Sequence, residues 1–281
     1  MKVLRSLSDY VCWKKTLSSS KSIGFVPTMG ALHDGHLSLV EASTKNAEIT
    51  VVSIFINPKQ FSENEDFNTY PRDLENDLNK LKDYNVSAVF VPSINDIYET
   101  EEPAIIFDHP FAQTLEGASR PHFFPGVIDV VSRLFNIVQP NYAHFGRKDA
   151  QQLILIQKMV DAADYPITII PGETVREPGG LAMSSRNEYL TSNQKRELGI
   201  IWESLGVAKK MLDNGDLCAN RICRAIENTL KKISRLKIDY VSIVDIENLK
   251  EVSGDVRGDV LISLAVSVGG VRLIDNIFYA Y

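Results

Sequence analysis

The sequence predicts an α/β fold: a doubly wound parallel sheet over the first part of the chain, followed by a smaller α+β domain. Three observations predict it. Short, almost unbroken apolar runs at residues 23–26, 49–56, 86–91 and 167–170, with a less regular one at 137–145, read as strands buried on both faces, the pattern of a parallel sheet covered by helices. Between the runs lie stretches with apolar residues at helical spacing, and such an alternation winds a sheet whose ligand sits beyond the carboxyl ends of its strands. After Leu190 the order changes: helical patterns come first, and β-rich runs follow at 238–246, 260–268 and 271–279.

The elements follow in order. The first run, 23–26, leads into Pro27 and a glycine-bearing turn. Leu37, Val40, Thr44 and Ala47 then share one helical face, and Leu74, Leu78 and Leu81 repeat at helical spacing ahead of the third run. A helix at 153–162 precedes the run at 167–170. Thr191-Ser192-Asn193-Gln194 resembles a capping box, so one helix is expected from there to the turn signal Asn214-Gly215, and a second at 222–233. The expected domains are 1–180 and 181–281, with the second beginning its regular structure near Tyr189-Leu190.

Composition narrows the function. A chain of 281 residues with 44% hydrophobic content can bury two cores. The first residues, Met1-Lys2-Val3-Leu4-Arg5-Ser6, lack the apolar region of a signal peptide, and no run approaches the ~18 apolar residues of a membrane span, so a cytoplasmic protein with no membrane partner is expected. Cys12, Cys218 and Cys223 form no CxxC pair, which fits a reducing compartment and argues against a structural zinc site. A net charge of −6 argues against extended contact with nucleic acid.

Four segments carry chemistry. Pro27-Thr28-Met29-Gly30-Ala31-Leu32-His33-Asp34-Gly35-His36 follows a strand and opens a helix, which gathers backbone N–H groups and the positive end of a helix dipole at one point suited to a phosphate. His33 and His36 add side-chain donors there. Asn57-Pro58-Lys59-Gln60-Phe61 follows the most apolar strand; Asn57 and Gln60 can hydrogen-bond a small polar substrate, although Asn-Pro after a strand is by itself a turn signal. Gly146, Lys148 and Asp149, at another strand-to-helix corner, can hold in that order a sugar, a phosphate and a phosphate-bound Mg²⁺, or Asp149 can simply cap the helix. Gly179-Gly180-Leu181-Ala182-Met183-Ser184-Ser185-Arg186-Asn187 reads either as an interdomain linker or as a lid, with mobile glycines and with Ser184, Ser185 and Arg186 as donors to a polyphosphate.

Taken with Tyr70-Pro71-Arg72, LEGASRP, LFNIVQP, KDAQQL and RLIDNI, these segments resemble the pantothenate synthetase (pantoate–β-alanine ligase) family over nearly the whole chain. The resemblance implies a Rossmann-like nucleotidyltransferase domain of the His-x-Gly-His superfamily with a C-terminal lid domain, a cytoplasmic homodimer, and ATP with Mg²⁺. It places ATP on Met29, Gly30, Ala31, Leu32, His33, Asp34, Gly35 and His36, on Gly146, Arg147, Lys148 and Asp149, on Val175, and on Met183, Ser184, Ser185 and Arg186, with Asp149 toward Mg²⁺ on the phosphates. His36 matches the family's proton donor. Gln60 and Gln152 match its two pantoate-binding glutamines, with Gln60 in reach of β-alanine, and Arg120 keeps its family place as a substrate residue. Two departures stand out. His122 sits one position early in Ser119-Arg120-Pro121-His122-Phe123-Phe124-Pro125-Gly126-Val127, and Arg147 replaces an acid in the family's Gly-Glu-Lys-Asp.

The reaction implied is a ligation in two steps: pantoate carboxylate attacks the α-phosphorus of ATP, pyrophosphate leaves, and the β-alanine amine then displaces AMP from pantoyl adenylate. His33, His36, Lys148, Ser184, Ser185 and Arg186 would act by electrostatic stabilisation and positioning, with no covalent nucleophile. Three rivals are a simple adenylyltransferase, an aminoacyl-tRNA synthetase and a catalytically silent nucleotide-binding protein. Gln60 and Gln152 disfavour the first, and the acidic balance disfavours the second.

Overall fold

The apolar runs form strands β1 (Lys2–Leu4), β2 (Ile23–Thr28), β3 (Ile49–Ile54), β4 (Ala88–Phe90), β5 (Tyr142–Gly146) and β6 (Thr168–Gly172). In this computed structural model, which describes residues 1–63, 65–99 and 105–281, they pair in parallel in the order β1-β4-β3-β2-β5-β6. From β2 the chain steps outward through β3 to β4, then returns to the other side of β2 with β5. The strand order therefore reverses between β2 and β5, and their carboxyl ends flank the crevice where such sheets bind ligands. β1 has no counterpart among the predicted strands. It is three residues long with two of them exposed, so only its pairing with β4 identifies it.

The helices of this unit are α1 (Leu7–Lys14), α2 (Asp34–Asn46), α3 (Leu74–Leu81), α4 (Ile94–Tyr98), α5 (Glu116–Ser119), α6 (Phe123–Val138) and α7 (Ala150–Ala162). Val26, Val52 and Val89 pack with Leu39 and Val40 of α2 and Leu81 of α3. Side chains alternate along a strand, so Phe25 faces the opposite way and meets Phe135 of α6 edge-on. Both faces of the sheet are thus covered.

Two expectations need correction here. The run at 137–145 is not one strand: Ile137 and Val138 finish α6, Gln139 caps it in the left-handed region at φ 50°, and β5 starts only at Tyr142. Helix α2 buries Val40 and packs Leu37 on the core as expected, but its other buried residues are Leu39 and Ser43, while Thr44 is only partly buried and Ala47 caps the helix. The Ser43 and Thr50 hydroxyls form a buried 3.0 Å pair between the helix and the sheet.

The chain divides into two compact units, residues 1–147 with 151–173, and residues 148–150 with 174–281. The second contains α8 (Ser192–Glu197), α9 (Ile200–Asp213) and α10 (Ala219–Leu230), then an antiparallel sheet β7-β8-β9 of Lys237–Asp245, Val260–Val268 and Val271–Tyr279. Its core joins Ile201, Leu205 and Leu212 of α9, Ile222 and Ile226 of α10, and Ile262, Leu264 and Val266 of β8. Thr191 and Gln194 do form a reciprocal capping box. The helix they open is nevertheless short: it ends at Glu197, and α9 begins afresh at Ile200. Between them Gly199 lies so close to the Gly179 carbonyl that a Cβ there would collide with it.

Candidate functional site

At the end of β2 the chain turns through Gly30 (φ 79°) and Ala31 (φ 50°) before α2. A left-handed alanine costs on the order of 1 kcal/mol, and Asp77 of α3 supplies what holds it. Its carboxylate, 1% exposed, accepts from the amides of Ala31 at 2.9 Å and Leu32 at 2.7 Å, while the Lys80 ammonium donates to the Leu32 carbonyl. Burial raises the Asp77 pKa, and the two amides pull it back toward the charged form. The Leu32 side chain joins the core beneath.

The two histidines close the helix entrance on one another. His33 Nδ1 accepts from the Gly35 amide at 3.2 Å, and His36 Nδ1 accepts from the His33 amide at 3.4 Å. The rings lie 4.0 Å apart between centroids. An imidazole whose Nδ1 accepts carries its proton on Nε2 when neutral, and both rings belong to the same helix terminus. Most of the backbone donors at this corner already have partners. The amides of Gly30, Ala31, Leu32, His33, Gly35 and His36 are all bonded within the protein, to Thr28 Oγ1, Asp77, His36 and His33. The positive end of the α2 dipole also lies at this corner.

Beyond β3, Pro58–Gln60 form a 3-10 turn. Asn57 is fully buried and saturated: Nδ2 donates to Gln60 Oε1 and to the Gly126 carbonyl, both at 3.0 Å, and Oδ1 accepts from Tyr98 Oη at 2.6 Å and the Lys59 amide at 3.1 Å. Asn57 is therefore the anchor of the turn, not a ligand donor. By taking up Gln60 Oε1 it leaves the Gln60 amide nitrogen as the end available to a substrate. Arg120 holds the same turn from outside: Nη2 donates to the Gln60 carbonyl at 3.1 Å, and Nε and Nη2 grip Glu65 at 2.6 and 2.7 Å. Although burial raises the Glu65 pKa, the Arg120 hydrogen bond and charge outweigh it and the net shift is downward. His122 Nε2 stands 3.6 Å from Glu65. Glu65 is not among the residues the sequence singled out.

On α7 the two adjacent glutamines differ. Gln151 is buried and pins the 110–116 segment, donating to the carbonyls of Phe111 at 2.6 Å and Thr114 at 2.8 Å and accepting from the Glu116 amide at 3.1 Å. Gln152, the residue selected from sequence, is half-buried and carries none of these anchors.

In the second unit, Lys148 Nζ lies 3.5 Å from Asp149 Oδ1. Asp149 is a single, 46% exposed carboxylate, and among the described residues no group of three or more His, Cys, Asp or Glu could cage a metal. That donor set fits Mg²⁺ arriving on phosphates and not a resident ion. Residues 175–183 form a hairpin, with Met183 N donating to the Val175 carbonyl at 3.0 Å and Glu177 N to the Leu181 carbonyl at 2.8 Å. Its glycines are closely packed against neighbouring groups. Gly180 adopts φ 92° against the Trp202 ring, a conformation that disfavours any other residue, and the Gly179 carbonyl packs on Gly199. Ser184 then caps the 3-10 turn Ser185–Tyr189, accepting from the Arg186 amide at 3.3 Å.

Comparison with known proteins agrees with this architecture. A family model described as Pantoate-beta-alanine ligase matches residues 2–278. The chain is similar to the pantothenate synthetase of Thermosipho africanus, at 46% identity over 98% of this chain and 99% of the relative, and to that of Staphylococcus epidermidis, at 46% over 94% and 92%. Among solved structures it resembles pantothenate synthetase from Thermus thermophilus, with 36% identity, TM-score 0.92 and 99% coverage of both chains. It also resembles the pantoate-beta-alanine ligase of Francisella tularensis complexed with beta-gamma ATP and beta-alanine, with 34% identity, TM-score 0.79 and coverage of 99% and 97%.

Proposed function

The chain belongs to the pantoate–β-alanine ligase family, and on that premise we propose how its residues divide the labour of joining pantoate to β-alanine at the expense of ATP. The reaction proceeds through pantoyl adenylate. The observation that carries this reading is the pair of imidazoles held together at the end of β2, each with Nδ1 accepting a main-chain amide of the helix entrance.

In the first step a pantoate carboxylate oxygen bonds to the α-phosphorus and the bond to pyrophosphate breaks. Negative charge grows on the phosphoryl oxygens, and donors fixed beforehand lower that barrier without reorganising. His33 and His36 supply two such donors, and Lys148, Ser184, Ser185 and Arg186 are assigned to the polyphosphate. Gln60 and Gln152 hold pantoate. In the second step the β-alanine amine attacks the acyl carbon and AMP leaves. No side chain forms a covalent bond. Asp149 would hold Mg²⁺ carried by the phosphates, which supplies further charge neutralisation. The family resemblance also supports a homodimer in the cytoplasm. Among the described residues no helix is long and apolar enough to cross a membrane.

Isotope exchange between pyrophosphate and ATP tests the order of steps. It is expected with pantoate and Mg²⁺ in the absence of β-alanine. Exchange that requires β-alanine would overturn the adenylate intermediate. Sedimentation velocity tests assembly separately, with a species of twice the chain mass expected and a monomer contradicting it.

A further inference from the structure

Two adjacent residues of β9, Asp275 and Asn276, hold segments far from them in sequence. Asp275, 1% exposed, accepts both arms of the Arg176 guanidinium, at 2.6 and 3.0 Å. That guanidinium also donates to the Gly180 carbonyl at 3.1 Å and lies 3.6 Å from the Trp202 ring centroid. The hairpin 175–183, and with it the start of the Ser184-Ser185-Arg186 turn, is thereby fixed to β9. Asp275 Oδ1 further accepts from the Asn276 amide at 2.8 Å, which ties the two residues together. Asn276, 6% exposed, donates Nδ2 to the Lys148 carbonyl at 2.8 Å.

We propose that Asp275 and Asn276 form one positioning device that sets Lys148 and the 183–186 segment in register with each other. A buried ion pair is weak grounds for stability, because apolar residues of equal volume often serve as well. Here the pair does what an apolar pair cannot: a bidentate, ring-stacked guanidinium has a fixed plane, and its remaining N–H fixes a backbone carbonyl. Asn276 fixes the main chain at Lys148, so the root of the lysine side chain is set by the same strand. Donors that stabilise a developing charge must hold their geometry to within about 0.5 Å, and residues that never touch the substrate provide that support. The inference rests on the proposed assignment of Lys148 and residues 183–186 to ATP.

The test compares Asn276→Asp with Lys148→Ala in the full-length protein. Asn276→Asp keeps the side chain's size but replaces the donating amide by a carboxylate facing the Lys148 carbonyl. The expected result is a fall of roughly 10- to 100-fold in kcat/KM for ATP, the scale of a misplaced catalytic group, with the KM for pantoate within twofold of the parent. A change confined to thermal stability, with both constants unaltered while Lys148→Ala is strongly impaired, would overturn the positioning role alone. If Lys148→Ala also retains parental constants, the ATP assignment falls and takes this proposal with it. Should Asn276→Asp not fold, Asn276→Ser, smaller and neutral, is read in the same way.

Discussion

Adjacent residues in this protein have opposite work, and the difference is testable. Gln151 is buried with three bonds to main-chain groups of 111–116, whereas Gln152 is half-buried without them. Gln151→Ala orphans buried partners and should cost about 1–3 kcal/mol of stability, read as a lowered midpoint in urea with the KM for pantoate little changed. Gln152→Ala and Gln60→Ala should instead weaken pantoate binding by roughly tenfold, about 1 kcal/mol or more, with ATP affinity retained in calorimetric titration. Equal losses for both ligands would place these glutamines with the nucleotide. Asp77 offers a second case. Asp77→Asn leaves one amide of the Ala31-Leu32 pair facing an NH₂ group, and should lower kcat by roughly 10- to 100-fold by shifting the histidines that follow. Parental kcat in a destabilised variant would make Asp77 purely structural. Such residues were not legible in the sequence. Asp77 acts on amides 45 and 46 positions away, and Glu65 on an arginine 55 away, and no periodicity or local motif marks such side-chain contacts.

Strands and helices were read more fully, for a physical reason. Strands β2 and β3 are buried along nearly their whole length, so their runs are almost continuously apolar, with only the buried hydroxyls of Thr28, Thr50 and Ser53 among them. The errors fell where apolar content continues but geometry changes: at Gln139, where a left-handed cap separates α6 from β5, and at Gly199, where close packing on Gly179 interrupts a helix. Strand β5 also carries a buried histidine with a measurable consequence. His144 is buried behind α2, its Nε2 is 3.4 Å from the Asn46 amide, and burial holds its pKa below the ordinary 6.5. In the unfolded chain this group takes up a proton first as pH falls. Stability is therefore unaffected by His144 above about pH 6.5, and declines below it until the folded-state pKa is reached. Thermal melts from pH 7.5 to 5 should show that decline, and His144→Gln should flatten it. An unchanged slope in the variant would exclude His144 as its source.

At the scale of the whole molecule, the sheet order and the motifs agree on one place and one chemistry. The strand order reverses between β2 and β5, and the paired histidines follow β2. That convergence made the end of β2 legible from sequence as the candidate phosphate site, although most of the main-chain amides there are bonded within the protein. Glycine signals freedom equally with close packing: Gly180 gives up its Cβ to the Trp202 ring, and Gly199 gives up its own to the Gly179 carbonyl. The proposed mechanism requires that ATP be cleaved to AMP only as pantoate and β-alanine are joined. The direct measurement is quantitation of AMP, ADP and amide product with each substrate omitted in turn. The expected result is AMP and pantothenate in equal amounts when both substrates are present, no sustained AMP release without either, and no ADP. Formation of ADP, or steady AMP release independent of β-alanine, would contradict it.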